Sequence, residues 1–152
     1  MPLADYLTID SIVPDMVAMT KNEALGVLVE AMYKRCPGMA KNNVLEILQA
    51  RESLGSTGIG DGVAIPHGKL DSCPGVMLAV GRSIDGCDFA SVDDKKCHVF
   101  SLLLAPESLS AGQFGVLAHL ARIFKSNAFR DNFMQAKSAE EIWDLLNAAW
   151  EN

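Results

Sequence analysis

The chain has 152 residues, of which 49% are apolar and 21% are charged, and its formal net charge is −6 at pH 7. This length and composition are ordinary for one globular domain with a sizeable core. The acidic balance argues against nucleic-acid binding, because phosphates attract basic surfaces. No apolar stretch of about 18 residues is present to span a bilayer, and no basic segment precedes an apolar run at the N-terminus. We therefore expect a cytoplasmic protein without membrane insertion.

The cysteines show no pattern of a metal site. Cys36, Cys73, Cys87 and Cys97 include no Cys-x-x-Cys pair and no histidine at a matching spacing. Zinc sites need such spacings, so the sequence predicts no bound metal. We expect reduced thiols, as is usual in a cytosolic protein.

The first third of the chain predicts a short strand and two helices. Ile12–Val13 favours the strand. Thr20 and Glu23 form a capping box, and apolar residues then recur at helical spacing until a Cys-Pro-Gly turn ends the first helix. Asn42 or Asn43 is suited to cap a second helix, which ends just before a glycine-rich loop.

The glycine-rich loop leads directly to a histidine. Four glycines occur within eight residues, namely Gly55, Gly58, Gly60 and Gly62. A backbone of this composition bends in ways that a Cβ would forbid. An apolar run at residues 63–65 then ends at Pro66, which fixes φ, and Gly68 frees the chain directly after His67. We expect His67 to be presented at the end of a short strand.

His67 has two interpretations. Most histidines are surface or structural residues that do no chemistry. The surroundings favour chemistry here, because hydroxyls at Ser56 and Thr57 and a cation at Arg51 are the groups that hold a phosphoryl group. Arg51 also has a structural interpretation, since the helix dipole favours a cation in the last turn of a helix.

The middle of the chain predicts two strands. The first covers residues 76–80, is closed by residues 81–83 and is followed by a turn at residues 85–86. The second, Cys97–Ala105, is a nearly continuous apolar run. Such runs are typical of strands covered on both faces, so helices should flank this sheet.

Three helices are predicted at the end of the chain. The first covers residues 111–125, with an apolar face formed by Phe114, Leu117, Leu120, Ala121 and Phe124. The second covers residues 128–135, and the third begins at a capping box of Ser138 and Glu141. The third helix buries Ile142, Leu145, Leu146 and Ala149, with Trp143 or Trp150 beside them. The order of elements indicates an α/β fold, a three-layer sandwich with a mixed β-sheet flanked by helices on both faces.

Two segments carry a family resemblance. Residues 55–68, Gly-Ser-Thr-Gly-Ile-Gly-Asp-Gly-Val-Ala-Ile-Pro-His-Gly, resemble the active-site signature of enzyme IIA proteins of the bacterial sugar phosphotransferase system. The similarity is to the fructose/mannitol class, and within it the loop looks closer to the nitrogen-regulatory branch. Residues 85–107, which end Phe-Ser-Leu-Leu-Leu-Ala-Pro-Glu, resemble the central strand segment of the family. The resemblance runs from Ile9 to Ala149, so residues 1–152 are expected to be a single enzyme IIA domain.

The resemblance implies a phosphohistidine function. His67 would be the phosphorylated nucleophile, and Arg51 would lie beside it and stabilise the phosphoryl group. The phosphoryl oxygens would be bound by loop hydroxyls and amides, namely Ser56, Thr57, Gly58 and Gly68. The implied donor is the histidine-containing phosphocarrier protein, and no cofactor or metal is implied. Phosphoryl transfer fits these residues because it needs mainly positioning and charge stabilisation.

The other histidines do not fit the family pattern. Mannitol-type relatives carry a second histidine in the helix after the central strand, beside the active one. Aligning that helix places Gln113 at this position, with His119 further along. The family role is therefore not assigned to His119, and Gln113 could donate a hydrogen bond to the phosphoryl group instead. His98, at the start of a buried strand, is expected to be structural.

Several functions stay open from sequence alone. We favour a regulatory switch, in which phosphorylation of His67 changes the binding of a target protein. A transport protein would instead pass the phosphoryl group to an enzyme IIB and so to a sugar.

A metal-dependent hydrolase using His67, Asp61 and Asp71 is a remote alternative without a further ligand at a suitable spacing. Nucleotide-binding motifs fail, because the loop lacks the Walker lysine and Val63 replaces the third dinucleotide glycine. A purely structural interaction domain would leave the loop unexplained.

Overall fold

The computed structural model describes residues 1–151, which form a mixed six-stranded sheet with helices on both faces, as predicted. The strands are β1 (Ile12–Val13), β2 (Gly58–Gly60), β3 (Val63–Ala64), β4 (His67–Lys69), β5 (Met77–Cys87) and β6 (Cys97–Ala105). The helices are α1 (Lys21–Tyr33), α2 (Lys41–Ser53), α3 (Ser110–Phe124), α4 (Asn127–Gln135) and α5 (Ala139–Glu151). Across residues 1–151, no helix has the length and apolar character needed to cross a bilayer.

Strand β6 organises the sheet. β5 pairs with it antiparallel on one side, and β3 and β4 pair with it in parallel on the other. β1 continues the sheet beyond β5, and β2 pairs antiparallel with β3. Val63 lies opposite Val99 and His67 lies opposite Leu103, so β3 and β4 form one line along β6 that is interrupted at residues 65–66. Within residues 1–151, β4 pairs only with β6, which places His67 on an edge strand.

Both faces of the sheet are buried. Helices α1 and α2 cover one face, and α3, α4 and α5 cover the other. Successive side chains of β6 point to opposite faces. Phe100 and Leu104 belong to the core beneath α1 and α2, whereas Val99 and Leu103 belong to the core beneath the other three helices. The prediction that the apolar run of β6 is covered on both sides is confirmed.

Local capping signals begin two of the helices. The Thr20 hydroxyl accepts a hydrogen bond from the Glu23 N–H at 3.2 Å, and the Ser138 hydroxyl accepts one from the Glu141 N–H at 3.2 Å. The predicted cap of α2 at Asn42 or Asn43 is wrong. That helix begins at Lys41, with Ala40 at the N-cap position and no side-chain capping bond.

Strand β5 is longer than predicted. Residues 81–83 continue the strand instead of closing it, and residues 85–86 form no turn that ends it. The side chain of Arg82 points inwards, where it donates to Pro14 O and Phe133 O at 3.0 Å each and also to Ala136 O. The strand register shifts between Arg82 and Cys87, and Gly86 lies in this irregular stretch with φ +87°, a left-handed conformation that favours glycine.

The buried face of α3 differs from the predicted one. Phe114 is 72% exposed, and the buried residues are Gln113, Val116, Leu120, Ile123 and Phe124. Gln113 turns inwards because its amide donates to Gly68 O of β4 at 2.7 Å. Because this buried residue is polar, it does not count toward the apolar pattern, and the sequence predicted a buried face that is rotated by one residue. In α5, Trp150 is buried and Trp143 is half-buried.

The four free thiols differ in their reactivity. Burial raises the pKa of the Cys73, Cys87 and Cys97 thiols to about 11, whereas Cys36 is half-buried. The thiolate is the reactive species. At pH 8 we expect Cys36 to react first with a thiol reagent, and the other three only after unfolding. Reagent uptake in native and denaturing buffer, with Cys36→Ser as control, tests this; rapid uptake by the Cys36→Ser variant would contradict it.

Candidate functional site

His67 stands at the start of β4, half-buried, on the outer strand of the sheet. Its partner across the ladder, Leu103, packs in the core beneath α3, α4 and α5. Residues directly opposite each other in a sheet point to the same face, so the imidazole lies on the α3 side of the sheet. A half-exposed ring on an edge strand can be reached by another protein.

The tautomer of His67 follows from one hydrogen bond. Its Nδ1 lies 2.9 Å from the carbonyl oxygen of Ile65. A carbonyl oxygen can only accept, so Nδ1 carries the proton and donates it. In a neutral imidazole the other ring nitrogen then has a free lone pair. The geometry therefore presents Nε2 as the nucleophilic atom.

The loop before His67 is held by a carboxylate at the end of α2. Glu52 is buried and accepts hydrogen bonds from the Thr57 N–H at 3.0 Å and from the Thr57 hydroxyl. Lys21 of α1 pairs with the same carboxylate at 3.0 Å. Hydrogen bonds to a charged group contribute about 1.5–3 kcal/mol each, so this contact anchors the loop firmly. Thr57 O in turn accepts from the Ile65 N–H at 3.0 Å.

The hydroxyls predicted to bind phosphate already have partners. Ser56 Oγ donates to Phe89 O at 2.9 Å and accepts from the Gly58 N–H at 3.0 Å. Thr57 Oγ1 donates to Glu52. Each hydroxyl has one proton, so either must leave its present partner to donate to a phosphoryl oxygen. The phosphate-binding role of Ser56 and Thr57 stays a prediction.

Arg51 lies at the end of α2, beside the loop. One of its guanidinium nitrogens donates to Gly55 O at 2.9 Å. No other hydrogen bond of this side chain occurs within residues 1–151, which leaves the rest of its fork available to an anion. Helix α2 packs on β4, so the structure brings the helix of Arg51 against the strand of His67. The stabilising role of Arg51 stays a prediction.

Two glycines allow close packing around the site. A Cβ on Gly58 would lie 2.9 Å from the Cα of Ser91, and a Cβ on Gly68 would lie 2.9 Å from the Ile47 side chain of α2. The carbonyl oxygen of Gly68 also accepts a hydrogen bond from the Gln113 amide. The Gln113 amide nitrogen also lies 3.5 Å from Leu103 O, so both of its protons already have backbone acceptors near His67. Its bond to a phosphoryl group stays a prediction.

The other histidines have structural partners. His98 Nδ1 donates to Ser83 O at 2.8 Å. His119 Nε2 lies 3.0 Å from Trp150 O, and its ring packs edge-on against the Trp150 indole, which ties α3 to α5. Asp71, one carboxylate of the hydrolase alternative, accepts from the Glu107 N–H at 3.2 Å. Within residues 1–151, no three His, Cys, Asp or Glu side chains group closely enough to hold a metal ion.

A segment far along the chain closes over the loop. The Val92 N–H donates to Gly58 O at 3.1 Å, and the Asp61 N–H donates to the Asp93 carboxylate at 3.1 Å. The pKa of Asp93 lies below its ordinary value because its carboxylate accepts from the N–H groups of Lys95 and Asp61. The sequence gives no signal of this contact, since more than 30 residues separate the two segments.

Comparison with known proteins identifies the family. The family model described as "Phosphoenolpyruvate-dependent sugar phosphotransferase system, EIIA 2" matches residues 5–149. The chain belongs to this family. A nitrogen regulatory protein of Bradyrhizobium diazoefficiens is 33% identical over 146 residues, which are 96% of this chain and 95% of that protein. The crystal structure of the nitrogen regulatory protein IIA-Ntr of Neisseria meningitidis is 33% identical, covers 95% of this chain and 98% of its own, and superposes with a TM-score of 0.88.

A fructose-specific component of the phosphotransferase system is also among the relatives of this EIIA chain. The fructose-specific EIIABC component of Bacillus subtilis is 29% identical over 147 residues, which are 97% of this chain and 23% of that longer protein. The family resemblance of the loop is therefore confirmed. Membership indicates that the chain is a phosphoryl-accepting protein of the phosphotransferase system, with a regulatory or a transport role.

The contact between Gly58 and Ser91 can be tested by stability. We expect Gly58→Ala to lower the free energy of unfolding by about 1–3 kcal/mol, because its Cβ meets backbone that cannot rotate away. Gly26→Ala is the control. It lies in α1 with no heavy atom within 4 Å of the added Cβ, so we expect a gain of about 0.5–1 kcal/mol. Urea unfolding measures both, and a neutral Gly58→Ala would contradict the packing.

Proposed function

We propose that His67 Nε2 accepts a phosphoryl group from a histidine-containing phosphocarrier protein and that its phosphorylation state regulates binding to a target protein. The observation that carries this proposal is the hydrogen bond from His67 Nδ1 to Ile65 O at 2.9 Å. It holds the ring in one orientation and keeps the Nε2 lone pair free. A preoriented nucleophile supplies much of what phosphoryl transfer needs.

The transfer of the phosphoryl group between two histidines needs no cofactor. The Nε2 lone pair forms a bond to phosphorus while the P–N bond of the donor breaks, and the bonding electrons return to the donor nitrogen. His67 keeps its Nδ1 proton, which stays bonded to Ile65 O and stabilises the positive charge that develops on the ring. No proton has to leave or enter the site.

We propose that Arg51 and Lys69 supply positive charge to the incoming phosphoryl group. Arg51 offers the uncommitted part of its guanidinium fork, whose planar geometry suits two phosphoryl oxygens. Lys69, two residues after His67 on the same strand, pairs with Glu107 at 3.2 Å. Both partners of this pair are largely exposed, so the pair is weak and Lys69 can turn towards an anion.

The relatives support two destinations for the phosphoryl group. The similarity to nitrogen regulatory proteins over nearly the full length of both chains favours the regulatory role. In that role, the phosphate adds negative charge to a surface that a partner recognises. The fructose-specific EIIABC relative supports the alternative, in which this chain passes the phosphoryl group to an EIIB partner for sugar uptake.

Phosphorylation in a reconstituted system tests the proposal. We expect the wild type to take label from labelled phosphoenolpyruvate in the presence of enzyme I and phosphocarrier from the same organism. His67→Gln should take none, since it lacks the nucleophilic nitrogen. His119→Gln is the matched control and should be labelled, because His119 contacts Trp150 at the α3–α5 junction. Labelling of His67→Gln would overturn the proposal, as would an unlabelled wild type.

A further inference from the structure

A buried carboxylate lies at the beginning of a hydrogen-bonded path that ends at the imidazole. Glu52 has only 4% of its side chain exposed and accepts from both the N–H and the hydroxyl of Thr57. Thr57 O accepts from the Ile65 N–H at 3.0 Å. Ile65 O accepts from His67 Nδ1 at 2.9 Å. The path has the side chains of Glu52 and His67 at its ends, and between them it uses the Thr57 hydroxyl and backbone groups.

We propose that Glu52 is a positioning residue, which fixes the Thr57–Ile65 backbone and thereby holds His67 in its Nδ1–H tautomer with Nε2 free. The importance of this position for transfer rests on the proposed function of His67, whereas the effect of Glu52 on the tautomer does not. Glu52 touches neither the imidazole nor a substrate, so its action is indirect.

Glu52 has a further partner besides Thr57. Lys21 lies 3.0 Å from Glu52 and also 5.0 Å from the centre of the Phe89 ring. Phe89 is fully buried, and its carbonyl oxygen accepts a hydrogen bond from the Ser56 hydroxyl. Lys21 thus links Glu52 to the segment that closes over the loop. A buried charge is tolerated where it has such partners, and these contacts keep Glu52 in one orientation.

Adjacent residues at the end of α2 hold the first residues of the loop. Arg51 donates to Gly55 O, at the start of the loop, and Glu52 binds Thr57, two residues further along. Between Thr57 and His67, the β2–β3 pairing adds the contact of Gly58 with Ala64. If Glu52 released Thr57, the Thr57–Ile65 bond would be the next to loosen, and the Ile65 carbonyl would no longer be fixed under His67.

Glu52→Gln is the sharpest substitution. Glutamine has the same shape but one accepting oxygen, so it keeps at most one of the two Thr57 bonds and loses the charge that faces Lys21. Glu46→Gln is the matched control, because Glu46 lies exposed on the same helix. Thr57→Val removes only the hydroxyl bond to Glu52, and it serves as a second variant if Glu52→Gln fails to fold.

The first readout is the imidazole ¹⁵N spectrum of His67 in the unphosphorylated protein. We expect the Nδ1–H tautomer in the wild type and in Glu46→Gln, and a mixture with the Nε2–H form in Glu52→Gln and Thr57→Val. No phosphate is present, so a phosphate-binding role of Thr57 cannot produce this change. An unchanged tautomer in both folded variants would overturn the positioning proposal.

The second readout is the rate of phosphoryl transfer from the phosphocarrier. We expect Glu52→Gln to lower the maximal rate by roughly tenfold to a hundredfold, with little change in the donor concentration that gives half the maximal rate, because orientation and not docking is affected. A change confined to the half-maximal concentration would contradict positioning. If the wild type takes no label, the proposed function fails, and the ¹⁵N comparison still decides the role of Glu52.

Discussion

The parallel pairing of β3 and β4 with β6 is the constraint on which the rest of the site depends. It aligns residues 63–69 along the central strand and leaves His67 on an edge, opposite Leu103. The interruption at residues 65–66 takes the Ile65 carbonyl out of the ladder and makes it available to the imidazole. One local break in an otherwise regular pairing thus creates both the exposure and the orientation of the candidate nucleophile.

Buried polar side chains connect the sheet to its helices. Arg82 binds the carbonyl groups at the end of α4, and Gln113 binds Gly68 O from α3. Glu52 joins α2 to the loop and, through Lys21, to α1. A buried polar group without partners is costly, so each of these contacts favours one arrangement of helix and strand over others. The site is therefore held from α1, α2 and α3 at once, and a phosphoryl acceptor needs this rigidity more than an enclosed pocket.

The sequence predicted the fold correctly where an element depends only on residues that are close together in the chain. The N-caps at Thr20 and Ser138 and the apolar run of β6 depend on neighbouring residues, and these were predicted correctly. The reciprocal bond of a capping box, from the Glu side chain to the N-cap N–H, forms at neither site within residues 1–151. Errors arose where a polar residue turned inwards. Arg82 extended β5 beyond its predicted end, and Gln113 rotated the buried face of α3 away from Phe114. The partners Pro14, Phe133 and Ala136 of Arg82 and the partner Gly68 of Gln113 lie 45 to 68 residues away along the chain, a distance at which periodicity carries no information.

Because Nδ1 of His67 donates to Ile65 O, Nε2 is the ring nitrogen that is left free to accept a phosphoryl group. The most direct measurement is ³¹P–¹⁵N NMR of the phosphorylated protein with ¹⁵N-labelled histidine, which identifies the nitrogen bonded to phosphorus. We expect a coupling to Nε2 of His67, with the proton still on Nδ1. Phosphorus on Nδ1, or on a residue other than His67, would contradict it.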